Sequence, residues 1–277
     1  MRIPNSEPKK RSKTRLFGGQ IYFSTLRYFS WYINRRKYTQ VRKSKTLPFL
    51  VFGHQTPLIR PLRNVDMWLQ HNKIINLRLA TAKTDSVVIR PRETFSFWRS
   101  IGKPAKSKGY VKGIVLHNGS FHPGIGGGLC QLSNLIYWMT LHTPLTVVER
   151  WRHDYDVFPD ANRAQPFGSG ATVAYNYIDL QIRNDTATEF QLRTWVGGSH
   201  LHGEWRSAKP VNFQYEIYES NHFIVPEWWG GYVRHNELRR KVFDFNGNQI
   251  GDELVTENHA IMMYDPLLQD GGSLNDY

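Results

Sequence analysis

The chain has 277 residues, 40% of them hydrophobic and 14% aromatic, which is enough for one large domain or two modest ones with a packed core. Its single cysteine excludes an internal disulfide and a Cys-x-x-Cys metal cluster. Of the net charge of +13, +12 lies in residues 1–45, which hold thirteen Lys and Arg residues against one acid, Glu7. Such a basic segment indicates attraction to an anionic surface, either acidic lipid headgroups or nucleic acid.

The sequence predicts neither a membrane-spanning helix nor a secretory signal. No stretch reaches the roughly 18 apolar residues of a membrane-spanning helix, and the N-terminus carries positive charge without an apolar signal region. We therefore expect a cytoplasmic protein, peripheral at the inner membrane face if the basic segment binds lipid.

The basic segment contains the first predicted elements. Residues 1–15 are polar and rich in Pro, Ser and Lys, which is typical of a disordered arm. Over residues 16–37 a helix is predicted, because four apolar side chains recur on one helical face: Tyr22, Leu26, Phe29 and Ile33. This stripe fits either a helix lying on an anionic membrane surface or a helix docked on the domain. Nucleic acid is the less favoured partner, because no zinc-finger or RNP-type motif accompanies the basic residues.

Helices and strands alternate in the middle of the chain. Apolar periodicity and proline positions predict a helix over 72–84, a strand over 86–89, a strand over 110–116, a glycine-rich loop over 122–128 and a helix over 129–142. The last helix must end before Pro144, and Cys130 lies in its first turn.

The rest of the chain is rich in strands. Alternating patterns predict them over 145–150, 171–175, 178–183, 189–195, 212–218 and 240–245, the last followed by a turn at 246–248. The fold class predicted is α+β, with helices followed by a mostly antiparallel sheet. We divide the chain into a basic N-terminal segment (1–45), a main domain (46–200) and a β-rich C-terminal extension (201–277) packed on that domain.

Cys130 follows three glycines, Gly126, Gly127 and Gly128. The free N–H groups and the positive dipole end of a helix N-terminus favour a thiolate there. Glycines allow a substrate backbone to approach and leave N–H groups available to an oxyanion. Cys130 is therefore a candidate nucleophile. The alternative is that it packs as a small hydrophobic residue behind a tight turn.

The segment 126–134, Gly-Gly-Gly-Leu-Cys-Gln-Leu-Ser-Asn, resembles the signature of the VanW family. The resemblance runs from about residue 45 to residue 195 and includes segments 93–97, 101–102, 109–110, 141–145, 149–150, 153 and 171–173. It implies a role in glycopeptide resistance and peptidoglycan metabolism. Some larger, exported proteins with this domain are linked to L,D-transpeptidase-type cross-linking through the motif cysteine.

Two positions depart from the family pattern: Arg92 replaces a glycine, and Gly170 replaces an aspartate that commonly precedes Ala-Thr-Val. If that aspartate orients a catalytic histidine in relatives, Gly170 leaves the third member of a triad unidentified.

Several residues are candidates for a site around Cys130. His153 is the first choice as general base, because it matches a family histidine and has Asp154 beside it. His117 and His122, which precede the glycine triplet, are alternates. The substrate-binding candidates are Gly126, Gly127, Gly128, Gln131, Glu93 and Arg150, although a structural salt bridge explains the last two equally well.

These residues predict a cysteine-dependent acyl transferase or hydrolase with Cys130 as nucleophile and His153 as base, and the family resemblance implies peptidoglycan precursors or stem peptides as its substrates. The alternative is a non-catalytic module that binds precursors or membrane-bound cell-wall enzymes. Because Cys130 and the histidines have no recognised metal-ligand spacing, we predict no metal and no cofactor.

Overall fold

A computed structural model describes residues 12–59, 66–117, 120–153, 155–156 and 165–264. Its helices are α1 (Lys13–Ile33), α2 (Met67–Thr84), α3 (Phe97–Ile101) and α4 (Cys130–Leu141), with 3₁₀ turns at Arg35–Lys37 and Lys106–Lys108. Its strands are β1 (Val41–Arg42), β2 (Phe49–Pro57), β3 (Val87–Ile89), β4 (Thr94–Ser96), β5 (Lys112–His117), β6 (Ser120–Ile125), β7 (Thr146–Glu149), β8 (Tyr155–Asp156), β9 (Gln181–Arg183), β10 (Phe190–Val196), β11 (His200–Ser207), β12 (Gln214–Pro226), β13 (Tyr232–Phe243) and β14 (Gln249–Met262).

In the described ranges these strands form four sheets. The central sheet has the order β1-β3-β10-β11-β2, a second has the order β12-β13-β14-β8, and smaller sheets have the orders β4-β9-β7 and β5-β6. The pairing of β14 with β8 is parallel, and the other pairings between these strands are antiparallel. The predicted α+β class is therefore confirmed, but strands interleave with the helices from β1 onward.

Helix α4 lies inside the core. Its residues from Leu135 to Leu141 are all buried, so the helix is covered on every side. The indole of Trp205, on β11, donates to the Thr140 hydroxyl at 3.0 Å, and Gly203 of the same strand lies against Met139. A helix enclosed in this way cannot shift, and the position of its first residue, Cys130, is fixed with it.

The central sheet includes strands from both sides of the predicted main domain, 46–200: β1 lies before it and most of β11 lies after it. Tyr38 and Thr39 are buried, and Val41 pairs with Val88, so residues 38–42 are part of the folded body. At the other end, strand β11 crosses the division at residue 200 and pairs with β10 and β2 inside the central sheet. The long strands β12, β13 and β14 follow it as a separate layer.

Two predicted elements differ from the structure. Residues 122–125 belong to β6, paired with β5, and the turn is confined to 126–129. The segment 171–175 forms only isolated bridges, at Thr172 and Ala174, rather than a strand. Ser133 and Asn134 of α4 bind the C=O and the N–H of Ala171 with their side chains. A partner strand would otherwise bind these two backbone groups.

Arg92 gives a prediction about stability. Its φ of 68° lies in the left-handed region, which costs a side-chain-bearing residue roughly 1–2 kcal/mol. We expect Arg92→Gly to raise the free energy of unfolding by roughly 0.5–1 kcal/mol, because the greater flexibility of glycine in the unfolded chain offsets part of the gain. Urea unfolding measures this change in the free energy of unfolding. Arg92→Ala removes the same charge but keeps the Cβ, so an equal gain from alanine would identify charge as the cause.

Candidate functional site

The turn of residues 126–129 connects β6 to α4 and is tightly packed. A Cβ on Gly127 would lie 2.2 Å from the carbonyl carbon of Gly113. Gly128 has a φ of +92°, and a Cβ there would lie 2.1 Å from Cγ of Lys73. The space beside both glycines is thus filled by the protein itself, which by itself accounts for the absence of side chains at these positions.

Asn76, on α2, holds the turn in place. This fully buried side chain donates from Nδ2 to the carbonyls of Gly127 (2.9 Å) and Val111 (3.0 Å). Its Oδ1 accepts from the N–H of Val111 at 2.9 Å. One amide therefore fixes the glycine turn to α2 and to the segment that enters β5.

Cys130 is the first residue of α4, within the predicted first turn, and its side chain is partly buried. The residue packs against the hydrophobic core, and the thiol lies 3.8 Å from the carbonyl oxygen of Val173, to which it donates. Burial raises the pKa of the Cys130 thiol, although backbone hydrogen bonding at Val173 and at Cys130 itself acts in the opposite direction. Loss of hydration therefore acts against the thiolate that the sequence favoured.

Two further residues of the 126–134 segment bind the same stretch of backbone. The Ser133 hydroxyl donates to the carbonyl of Ala171 at 2.6 Å, and Oδ1 of Asn134 accepts from the N–H of Ala171 at 2.7 Å. Together with the contact between Cys130 and Val173 they form what we call the signature clamp. It holds residues 171–173 against the first turn of α4.

Gln131 points to a different element. Its Nε2 donates to the Thr56 hydroxyl and to the carbonyl of Pro57, both at 2.9 Å, at the end of β2. The side chain proposed to bind substrate is thus engaged with the central sheet.

The N–H groups of residues 128–130, at the start of α4, are the predicted oxyanion donors. The first N–H groups of a helix have no intrahelical acceptor. Among the described residues, those of Gly128, Leu129 and Cys130 have no oxygen acceptor. They are the donors that an oxyanion would use.

The candidate bases His117, His122 and His153 lie on β5, on β6 and after β7, respectively. His153 is half-buried and follows β7. The Cys130 thiol donates to the carbonyl of Val173 and, in the described part of the chain, has no hydrogen bond to an imidazole. His122 is exposed on β6, opposite Val115. Asp154 and the side chain of His117 lie outside the described residues. The catalytic role of His153 stays a prediction.

Glu93 and Arg150 both bind the protein itself. Glu93 accepts from the N–H of Arg90 at 3.0 Å and closes the turn that contains Arg92. Arg150 donates to the carbonyls of Gly168 and Gly170. It also donates to two side chains of β14, those of Thr256 and Asn258. Arg150 thus connects the C-terminal sheet to the body.

Gly170 lies next to the signature clamp. A Cβ on Gly170 would lie 3.1 Å from Oδ1 of Asn134, so an aspartate there would press on the signature clamp. Within the described ranges, no group of three or more His, Cys, Asp or Glu side chains could hold a metal ion.

An open groove of about 450 Å³ lies beside the glycine turn. It is lined by residues of α2, of the segment entering β5 and of β6: Trp68, Asn72, Lys106, Gly109, Tyr110, Val111, Lys112 and Ile125. The N–H of Gly126 donates to the carbonyl of Val111 at 3.0 Å, which connects the groove to the turn. Sequence reasoning missed this groove because its lining comes from three separate segments.

The raised pKa of Cys130 gives a prediction about reactivity. Below pH 8 we expect iodoacetamide to alkylate the folded protein at least about tenfold more slowly than the unfolded chain, because only the thiolate reacts. The pH dependence of the rate should give an apparent pKa above the free-thiol value of about 8.5. The same chain in concentrated urea is the control. Faster alkylation of the folded protein at pH 7 would contradict the burial argument.

Comparisons with known proteins agree with the signature. The family model described as "VanW like protein" matches residues 72–206. The chain is 34% identical over 227 residues to the vancomycin B-type resistance protein VanW of Enterococcus faecalis, which covers 82% of each chain. It is 31% identical over 127 residues to the uncharacterized protein YoaR of Bacillus subtilis, covering 46% of this chain and 40% of that one. No solved structure matches. The match to the enterococcal protein extends over most of both chains, and this chain therefore belongs to the VanW family.

Proposed function

We propose that this chain contributes to glycopeptide resistance by binding peptidoglycan precursors in the groove between α2 and the β5–β6 hairpin. In this proposal Cys130 is a packing residue. The resistance role is carried over from the relative named a vancomycin B-type resistance protein, which is 34% identical over 82% of both chains.

The observation that carries the non-catalytic proposal is the signature clamp. Cys130, Ser133 and Asn134 each bind backbone of residues 171–173, and burial raises the pKa of the cysteine thiol. These polar side chains are therefore used to hold the fold together. A nucleophile needs a thiolate with access to substrate, and this arrangement disfavours both.

The groove has the chemistry that such a precursor needs. Trp68 is 47% exposed and offers an aromatic face on which a sugar ring can stack, with Tyr110 buried behind it. Lys106 and Lys112 are exposed in the same lining and can pair with carboxylate or phosphate. Aromatic surface with a few placed polar groups is the usual composition of a ligand site. Peptidoglycan precursors combine sugars, carboxylates and phosphates.

A second candidate is the cysteine-dependent acyl transfer or hydrolysis predicted from the sequence. It is favoured by the position of Cys130 at the positive end of α4 and by the N–H groups of residues 128–130 described above. In this candidate a base such as His153 removes the thiol proton when substrate binds.

A binding experiment tests the proposal. Calorimetry with a soluble UDP-linked muramyl pentapeptide should give saturable binding to the full chain. Trp68→Ala should weaken it by about 5-fold to 150-fold, since stacking on one aromatic residue contributes roughly 1–3 kcal/mol by analogy with base stacking. Lys112→Gln should weaken it by a smaller factor. Cys130→Ala should leave it unchanged.

Trp228→Ala and Lys103→Gln are matched controls, because both side chains are exposed and lie outside the groove lining. No binding by the intact chain, or equal binding by Trp68→Ala and Trp228→Ala, would overturn the groove proposal. Mass spectrometry of the same mixtures tests the second candidate. A new product, or an adduct on Cys130, that disappears in Cys130→Ala would establish catalysis and reject a packing role for the thiol.

A further inference from the structure

Helix α1 has two opposite faces. At about 100° per residue, Arg27 and Trp31 lie on one face, and the stripe of Tyr22, Leu26, Phe29 and Ile33 lies on the other. Among the described residues, α1 contacts the folded body through the first face and through Tyr28 beside it. The stripe therefore needs a separate explanation.

The docked face is firmly held. Arg27 forms a bidentate pair with Glu149, with both bonds at 2.5 Å, and the two side chains are only 15% and 20% exposed. Trp31 is buried in the core. The hydroxyls of Tyr28 and Tyr175 are hydrogen bonded at 2.5 Å. These contacts fix the C-terminal half of α1 to the domain.

The stripe is left in solvent. Tyr22 is 60% exposed, Leu26 46%, Phe29 62% and Ile33 60%. The sequence left open whether this stripe docks on the domain, and the structure places Arg27 and Trp31 at that contact instead. Large apolar side chains exposed together mark a surface that binds a partner.

The charge around the stripe identifies the kind of partner. Between Glu7 and Asp66 the sequence contains no acidic residue. Arg15 lies on the stripe side of α1, and Arg35 and Lys37 follow its C-terminal end. All three are exposed, and among the described residues none of them has an acidic partner. Within the same ranges, no helix is long and apolar enough to cross a bilayer.

We propose that α1 docks the protein on an acidic lipid surface, with the stripe buried at the headgroup boundary and Arg15, Arg35 and Lys37 against anionic headgroups. Apolar side chains flanked by basic residues on one side of a helix are the pattern of interfacial binding. Because the opposite face is held by Glu149, the whole domain is carried to the membrane. This proposal is independent of the groove and of any activity of Cys130.

Vesicle co-sedimentation of the full chain tests it. Vesicles of phosphatidylcholine with about 30% phosphatidylglycerol should bind the protein, pure phosphatidylcholine should bind it much less, and 1 M salt should weaken binding because the screening length falls to about 3 Å. Arg15→Gln/Arg35→Gln/Lys37→Gln should weaken partitioning by about 100-fold, at about fivefold per basic residue. Leu26→Ser/Phe29→Ser/Ile33→Ser should weaken it at least about tenfold.

Two control variants match these changes. Lys83→Gln/Lys103→Gln/Lys209→Gln removes the same charge elsewhere, and Phe223→Ser/Trp228→Ser/Phe245→Ser removes exposed apolar side chains from the C-terminal sheet. Both should bind within about twofold of the unaltered chain. Circular dichroism checks that the stripe variant is folded, and its exposed positions predict that it is.

Three results would overturn the proposal. One is equal vesicle binding by the stripe variant and its control. Another is absence of vesicle binding together with dimerisation that the stripe variant abolishes, which would assign the stripe to a second copy of the chain. The third is absence of vesicle binding together with salt-sensitive binding of duplex DNA, which would assign the basic residues to nucleic acid.

Discussion

The contact between the first turn of α4 and residues 171–173 joins the helix that carries Cys130 to the segment leading into β9. Ala171 has both backbone groups bound by side chains of α4, through Ser133 and Asn134, and Val173 accepts from Cys130. Because these groups are buried, loss of one partner would leave an unsatisfied polar atom in the core. The clamp therefore fixes the position of α4 relative to the chain that leads into β9.

Arg150 extends this constraint to the C-terminal sheet. Its guanidinium binds carbonyls on both sides of Ser169 and also Asn258 of β14, while its planar group lies 5.1 Å from the ring centre of Tyr137. Burial lowers the pKa of this guanidinium, but the group stays charged at neutral pH because its ordinary pKa is above 12. One cation thus joins α4, the loop of residues 168–170 and the C-terminal sheet.

Periodicity in the sequence predicted several regular elements, but it indicated no strand at β2, β11 or β14. Helices α2 and α4, strand β10 and the turn at Gly247 follow local rules of apolar spacing, proline and glycine. Residues 171–175 alternate as a strand would, yet the backbone groups of Ala171 and Val173 are bound by side chains from 37 to 43 residues away. Local pattern carries no information about such partners.

In the candidate site, too, the sequence predicted the position of the residues but not the contacts that surround them. Sequence reasoning selected the segment 126–134 and placed Cys130 at a helix start, which is where the structure has it. It could not distinguish glycines that admit a substrate from glycines that admit a neighbouring backbone, since both need the absence of a Cβ. The difference depends on Gly113 and Lys73, which are 14 and 55 residues away from their partners Gly127 and Gly128.

A cysteine at a helix N-terminus is subject to two opposed effects, and burial decides which prevails. The helix dipole and free N–H groups favour a thiolate by an amount that is modest and confined to the first turn. Transfer of a thiolate from water to an apolar interior costs more, unless a cation compensates it. At Cys130 burial raises the pKa of the thiol, and the backbone hydrogen bond with Val173 offsets only part of this rise. The reactivity of a cysteine after a glycine triplet therefore depends on the exposure of its sulfur and on a nearby base, neither of which the local sequence pattern encodes.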